Sequence, residues 1–107
     1  PKGHEIWKWA TGYGIAAAHV DGSDVFAVHA AAQEAVAHLR AGKGPYFIEA
    51  PYFRARVHVG YETDAEKNYT FRSKEAVEAG ASKDPVANAT RRMIADGICT
   101  EAASWAR

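Results

Sequence analysis

The sequence predicts an α/β fold built on a βαβ unit, and three observations carry that expectation. Two short apolar runs, Ile15 to Val20 and Pro45 to Ala50, are each bounded by glycines and turn residues, as buried strands are. Between them lies an alanine-rich stretch whose apolar residues recur at spacings of three and four, the period of a helix. A helix between two short strands makes those strands parallel and the crossover right-handed. A parallel sheet needs more than two strands and helices on both faces. The 107 residues therefore read as the terminal part of a larger α/β domain.

Each element has a local reason. Residues 1–10 show no clear period, and Trp7 and Trp9 are expected to cover a neighbouring surface rather than to stack on a ligand. The turn residues Thr11 to Gly14 lead into a strand over 15–20. Ser23 and Asp24 offer oxygen acceptors to the first free amides of a helix over 24–41. Val25, Val28, Ala32, Ala35, Val36 and Leu39 form its expected apolar face, with His29 and His38 on its surface. Gly42 suits the left-handed residue that ends such a helix. A strand over 45–52 follows, then a polar loop over 53–72. A short helix over 73–79 starts at Ser73 and is broken from Gly80 onward. Asp84-Pro85 is a stronger start, a carboxylate cap followed by proline at the first helical position, for a helix over 84–96 that carries Val86, Ala89, Met93 and Ile94 on one face. Thr100 opens a last helix over 100–107.

Composition narrows the function classes. Thirteen basic and thirteen acidic residues cancel, with no basic stripe, so no nucleic-acid partner is expected. No apolar run approaches the roughly 20 residues of a membrane span. One cysteine, Cys99, allows no internal disulfide and suits a reducing compartment; with no signal peptide, a cytoplasmic location is expected. Cys99 has no nearby base and reads as a packing residue. The chain starts at Pro1 rather than methionine, which fits a processed product or a piece.

The polar loop after the second strand is where open α/β sheets usually place their chemistry. It carries Arg54, Arg56, His58, Glu62, Asp64 and Arg72. His58 can transfer a proton or contact an anion, although a loop histidine is also an ordinary surface residue. Arg54 and Arg56 can grip a phosphate or carboxylate, or pair within the loop. His58, Glu62 and Asp64 match no compact metal-ligand spacing and read better as a solvated acidic loop paired with Lys67 or Arg72. No metal site is expected in this chain.

Several short pieces, in order, carry a resemblance. They are Tyr13-Gly14-Ile15, Val20 to Val25, Gly42 to Pro45, Glu49-Ala50, Phe53-Arg54, His58-Val59-Gly60, Arg72 to Glu75, Lys83 to Val86, Gly97 and Thr100-Glu101. Together they resemble the C-terminal part of the alpha subunit of the E1 component of thiamine-diphosphate-dependent 2-oxo acid and acetoin dehydrogenases. The resemblance implies the C-terminal portion of a three-layer thiamine-diphosphate-binding fold with a parallel sheet, followed by short C-terminal helices. It implies an oxidoreductase that decarboxylates a 2-oxo acid, or cleaves acetoin, and passes the acyl group to the lipoyl domain of the E2 partner. Thiamine diphosphate would be the cofactor. Mg2+ would be held by a segment that lies upstream in the family, outside this chain. The E1 beta subunit and the remainder of E1 alpha would be partners, since the family's cofactor lies between the two subunits, and the 107-residue piece alone would be inactive.

By the same resemblance 53–72 is the active-site loop, His58 is a catalytic and cofactor-binding residue at the diphosphate, and Arg54 is its cofactor-binding companion. Three departures accompany it. Val57 stands where glycine is frequent. Val59 stands where regulated mitochondrial forms carry a phosphorylated serine, which implies a bacterial or acetoin-type variant without kinase control here. Phe71 replaces a common tyrosine, in a loop somewhat longer than usual. The alternative expectation is a non-catalytic assembly module, a split-gene remnant that keeps the subunit-docking surface without cofactor chemistry.

Overall fold

A computed structural model of the chain describes residues 5–54, 56 and 73–100. The chain forms two compact units, residues 1–51 and 52–107.

The first unit is the expected βαβ unit with a helix in front of it. Its elements are α1 (Ile6–Gly12), β1 (Ala16–His19), α2 (Val25–Arg40) and β2 (Tyr46–Glu49). The strands pair in parallel, with Ala16 opposite Tyr46 and His19 opposite Glu49. Side-chain alternation along β2 separates the helices. The Tyr46 ring meets His38 of α2 edge-on at 5.3 Å, whereas Glu49, of opposite parity, reaches the amide of Trp7 in α1. The two helices thus lie on opposite faces of the sheet, a small three-layer α/β/α arrangement.

α2 starts at Asp24, whose Oδ1 accepts from the amides of Phe26 at 3.0 Å and Ala27 at 3.1 Å. It ends where Gly42 takes φ 69°, a left-handed backbone that costs glycine little. The buried line of α2 keeps half of the expected face: Ala35 is buried and Val28 and Ala32 are half-buried. Ala31, outside that face, is buried too, while Val25, Val36 and Leu39 are exposed. Alanine lacks the bulk that would hold the helix off the sheet, so α2 closes mainly on its small residues and leaves Val25, Val36 and Leu39 outward. His38 is half-buried rather than a plain surface residue, with Nε2 3.1 Å from the Lys43 carbonyl oxygen.

α1 is a helix where no period was visible. The Glu5 side chain at its N-cap pairs with Lys8 but accepts from no amide of the first turn, and the amide's acceptor comes from β2 instead. Trp7 is half-buried, with Lys8 Nζ 5.5 Å from its ring centre, whereas Trp9 is largely exposed.

The second unit contains α3 (Lys74–Ala81) and α4 (Pro85–Ala95) among its described residues. Ser73 caps α3, its Oγ accepting from Ala76 N at 3.2 Å. Gly80 does not break α3 but lies inside it, and a Cβ there would overlap the Phe53 ring. Asp84 caps α4 as expected, its Oδ1 accepting from Val86 at 2.8 Å and Ala87 at 3.1 Å, with Pro85 at the first position. α4 buries no residue outright; Ala89 and Met93 are half-buried, whereas Val86 and Ile94 are exposed. Cys99 is half-buried and free. The helix expected over 100–107 lies outside the described residues, apart from Thr100, which is not helical. Among the described residues no helix is long and apolar enough to cross a membrane.

Candidate functional site

The candidate site begins where β2 ends. The strand end is fixed by backbone bonds from the connection that follows β1. Val20 N donates to Glu49 O at 3.0 Å, and Gly22 N donates to Pro51 O at 2.9 Å. Gly22 is required here by close approach. A Cβ on it would sit 2.7 Å from Ala50 O and 2.8 Å from Pro51 O. The Asp21 carboxylate closes the same turn by accepting from Ser23 N at 2.9 Å, and Ser23 is buried. The turn Val20-Asp21-Gly22-Ser23 is therefore a clamp on the point where the chain leaves the sheet.

Of the residues singled out from the sequence, Arg54 is half-buried and Arg56 is exposed. His58, Glu62, Asp64 and Arg72 lie outside the described residues, as does the rest of the expected active-site loop over 53–72 except Phe53 and the two arginines. Among the described residues no group of three or more His, Cys, Asp or Glu side chains could hold a metal ion. Arg54 carries a cationic, planar guanidinium of the kind that suits oxyanions.

Glu49 is the residue that sequence reasoning did not assign a role. Its Oε2 accepts from the Trp7 amide at 2.9 Å, and its register partner His19 has its ring 6.4 Å from that of Trp7. The signal available in the sequence is one acidic residue closing an otherwise apolar strand. At the other end of β2, Tyr46 bonds to the Glu34 side chain of α2. Partial burial, and then that hydrogen bond and the Glu34 charge, raise the Tyr46 hydroxyl above its ordinary value of 10.0. The outer side of α2 carries an open groove of about 440 Å³ lined by His29, Gln33, Val36 and Arg40 among others.

Comparison with known proteins decides the family. The profile of the dehydrogenase E1 component matches residues 2–105. The chain belongs to that family. It is 34% identical over 98 residues to the pyruvate dehydrogenase E1 component subunit alpha-3, chloroplastic, of Arabidopsis thaliana, covering 92% of this chain and 22% of the relative. It is 43% identical over 77 residues to the 3-methyl-2-oxobutanoate dehydrogenase subunit alpha of Mycobacterium tuberculosis, covering 72% of this chain and 20% of the relative. It is 42% identical over 90 residues to the pyruvate dehydrogenase E1 component subunit alpha of Rhizobium meliloti, covering 83% of this chain and 24% of the relative. The chain thus spans about a fifth to a quarter of the length of these curated relatives. No solved structure matches. The resemblance to E1 alpha subunits and the α/β class with a parallel sheet both stand.

Proposed function

We propose that this chain is the part of an E1 alpha subunit that brings Arg54 and His58 to the diphosphate of thiamine diphosphate. The observation that carries the reading is the family match over residues 2–105, together with relatives named for pyruvate and 3-methyl-2-oxobutanoate. The substrate is a small 2-oxo acid that is decarboxylated or, as the other candidate, the hydroxyketone acetoin, which is cleaved. Thiamine diphosphate, when bound, supplies the electron sink for cleavage next to the carbonyl. The chain's own residues bind and orient. Arg54 offers a fixed cation to a diphosphate oxygen, and the His58 imidazole holds or moves a proton during acyl transfer to the lipoyl group of E2. The remainder of the alpha subunit, the beta subunit and Mg2+ bound elsewhere complete the site.

The test is made on the complete alpha subunit assembled with its beta partner. His58→Ala should lower lipoyl-linked acyl transfer by about 10²-fold or more, while the urea midpoint of unfolding shifts little. Arg54→Ala should weaken thiamine diphosphate binding measured by calorimetry. Unchanged transfer and unchanged cofactor binding in these variants would sink the assignment and leave the non-catalytic assembly module. Parallel assays with pyruvate, 3-methyl-2-oxobutanoate and acetoin identify the substrate.

A further inference from the structure

Helix α1 starts without a local cap, since the Glu5 side chain accepts from no amide of its first turn and pairs with the Lys8 ammonium instead. Its first turn is held by Glu49, 42 residues away, through Oε2 and the Trp7 amide at 2.9 Å. A carboxylate suits that place, where free amides and the positive end of the helix meet, and the bond is charge-assisted. Glu49 is also the last residue of β2, and the backbone immediately around it is bonded to the turn after β1 through Val20 and Gly22. One side chain therefore joins the start of α1 to the point where β2 stops. Each strand is only four residues long, and a ladder this short sets register weakly on its own.

We propose that Glu49 is a positioning residue whose carboxylate holds the first turn of α1 on the end of β2 and thereby fixes the strand exit at Ala50-Pro51, ahead of Arg54 and His58. Its catalytic consequence rests on the function proposed above; the structural coupling does not. Without the carboxylate the Trp7 amide loses its acceptor and the end of β2 keeps only backbone bonds. The chain then leaves the strand at Ala50-Pro51 with a wider range of directions, which is where the carboxylate bears on the function proposed above.

The experiment uses the complete alpha subunit with its beta partner, and compares Glu49→Ala with Glu49→Gln. Glutamine keeps an acceptor oxygen and so serves as the conservative rescue. Amide hydrogen exchange is read at Trp7 and Gly22, and kcat and KM are read for the 2-oxo acid. In Glu49→Ala, exchange at Trp7 should speed up by about tenfold or more, and Gly22 should follow. kcat should fall by about tenfold with KM changed less than about twofold, as expected for lost alignment rather than lost binding. Glu49→Gln should restore most of both. Unchanged exchange at Trp7 and Gly22 in Glu49→Ala overturns the proposal, as does an unchanged kcat beside faster exchange. A Glu49→Gln variant that protects Trp7 yet turns over as poorly as Glu49→Ala overturns it too, because the carboxylate would then be acting on its own account. If the wild-type assembly shows no cofactor-dependent turnover, the proposed function fails, and exchange at the two amides still decides whether Glu49 holds the exit.

Discussion

At the scale of single residues, the firmest consequences come from contacts that leave no room. Gly22 lies against the carbonyl oxygens of Ala50 and Pro51, so Gly22→Ala must push the strand end away from the turn that clamps it. The expected loss is about 1–3 kcal/mol, read from the urea midpoint of the assembled subunit; an unchanged midpoint would mean that the exit is not clamped there. Tyr46 gives a consequence in pH. Its hydroxyl is held neutral by partial burial and by Glu34, so its folded-state pKa lies above 10.0. The unfolded chain sheds that proton first as pH rises. The stabilisation is therefore complete below about pH 10 and is lost as pH climbs through the raised value. Tyr46→Phe should flatten the alkaline fall in stability measured between about pH 9 and about pH 11. Neither contact could be read from the sequence. The glycine of Val20-Asp21-Gly22 marks a turn, but only the fold shows that two carbonyls stand against it. His58 and Arg54 rest on sequence order and resemblance alone; of the two only Arg54 is among the described residues, half-buried.

At the scale of elements, legibility follows the position of the capping group. α2, α3 and α4 are capped by Asp24, Ser73 and Asp84, each immediately before its helix, and all three starts could be read from the chain. α1 could not, because its acceptor is Glu49, distant in sequence and brought close only by the sheet. Helix faces were less legible than helix starts. Periodicity gave α2 a face of Val25, Val28, Ala32, Ala35, Val36 and Leu39; Ala35 is buried and Val28 and Ala32 are half-buried, whereas Val25, Val36 and Leu39 are exposed and Ala31, outside that face, is buried. Hydrophobicity ranks side chains by what burial would gain, whereas close helix-on-sheet approach selects small ones. Gly80, expected as a breaker, lies inside α3, where its missing side chain leaves room for the Phe53 ring. The cap argument has a direct test. Asp24→Ala removes the acceptor shared by the Phe26 and Ala27 amides and should destabilise the protein by about 1 kcal/mol, whereas Asp24→Asn should cost much less. Equal losses in the two variants would show that the charge, not the acceptor, is what α2 uses.

At the scale of the whole molecule, the described residues form secondary structure without a core to match it. The buried apolar residues among them are Ala10, Ala31 and Ala35, and no large side chain is fully buried. Trp9, Tyr13, Leu39, Tyr52, Val86 and Ile98 are all more than half exposed. Three alanines remove little apolar surface from water, and burial of such surface is the main term that offsets chain entropy. Local features explain why each element forms, through caps, short ladders and left-handed glycines, but they do not supply cooperative stability. The 107-residue chain on its own should therefore behave as a loosely packed state. It should bind a hydrophobic dye, show weak near-ultraviolet circular dichroism beside clear far-ultraviolet helix signal, and unfold in urea over a broad range without a sharp transition. It should also give no measurable heat with thiamine diphosphate in calorimetry. Co-expression with the remaining parts of an E1 alpha subunit should abolish the dye signal and sharpen the transition, because the exposed faces of α2 and α4 would then have partners. A sharp transition with low dye binding in the isolated chain would show instead that residues outside the described set complete a core within these 107, and that the segment folds as a unit of its own.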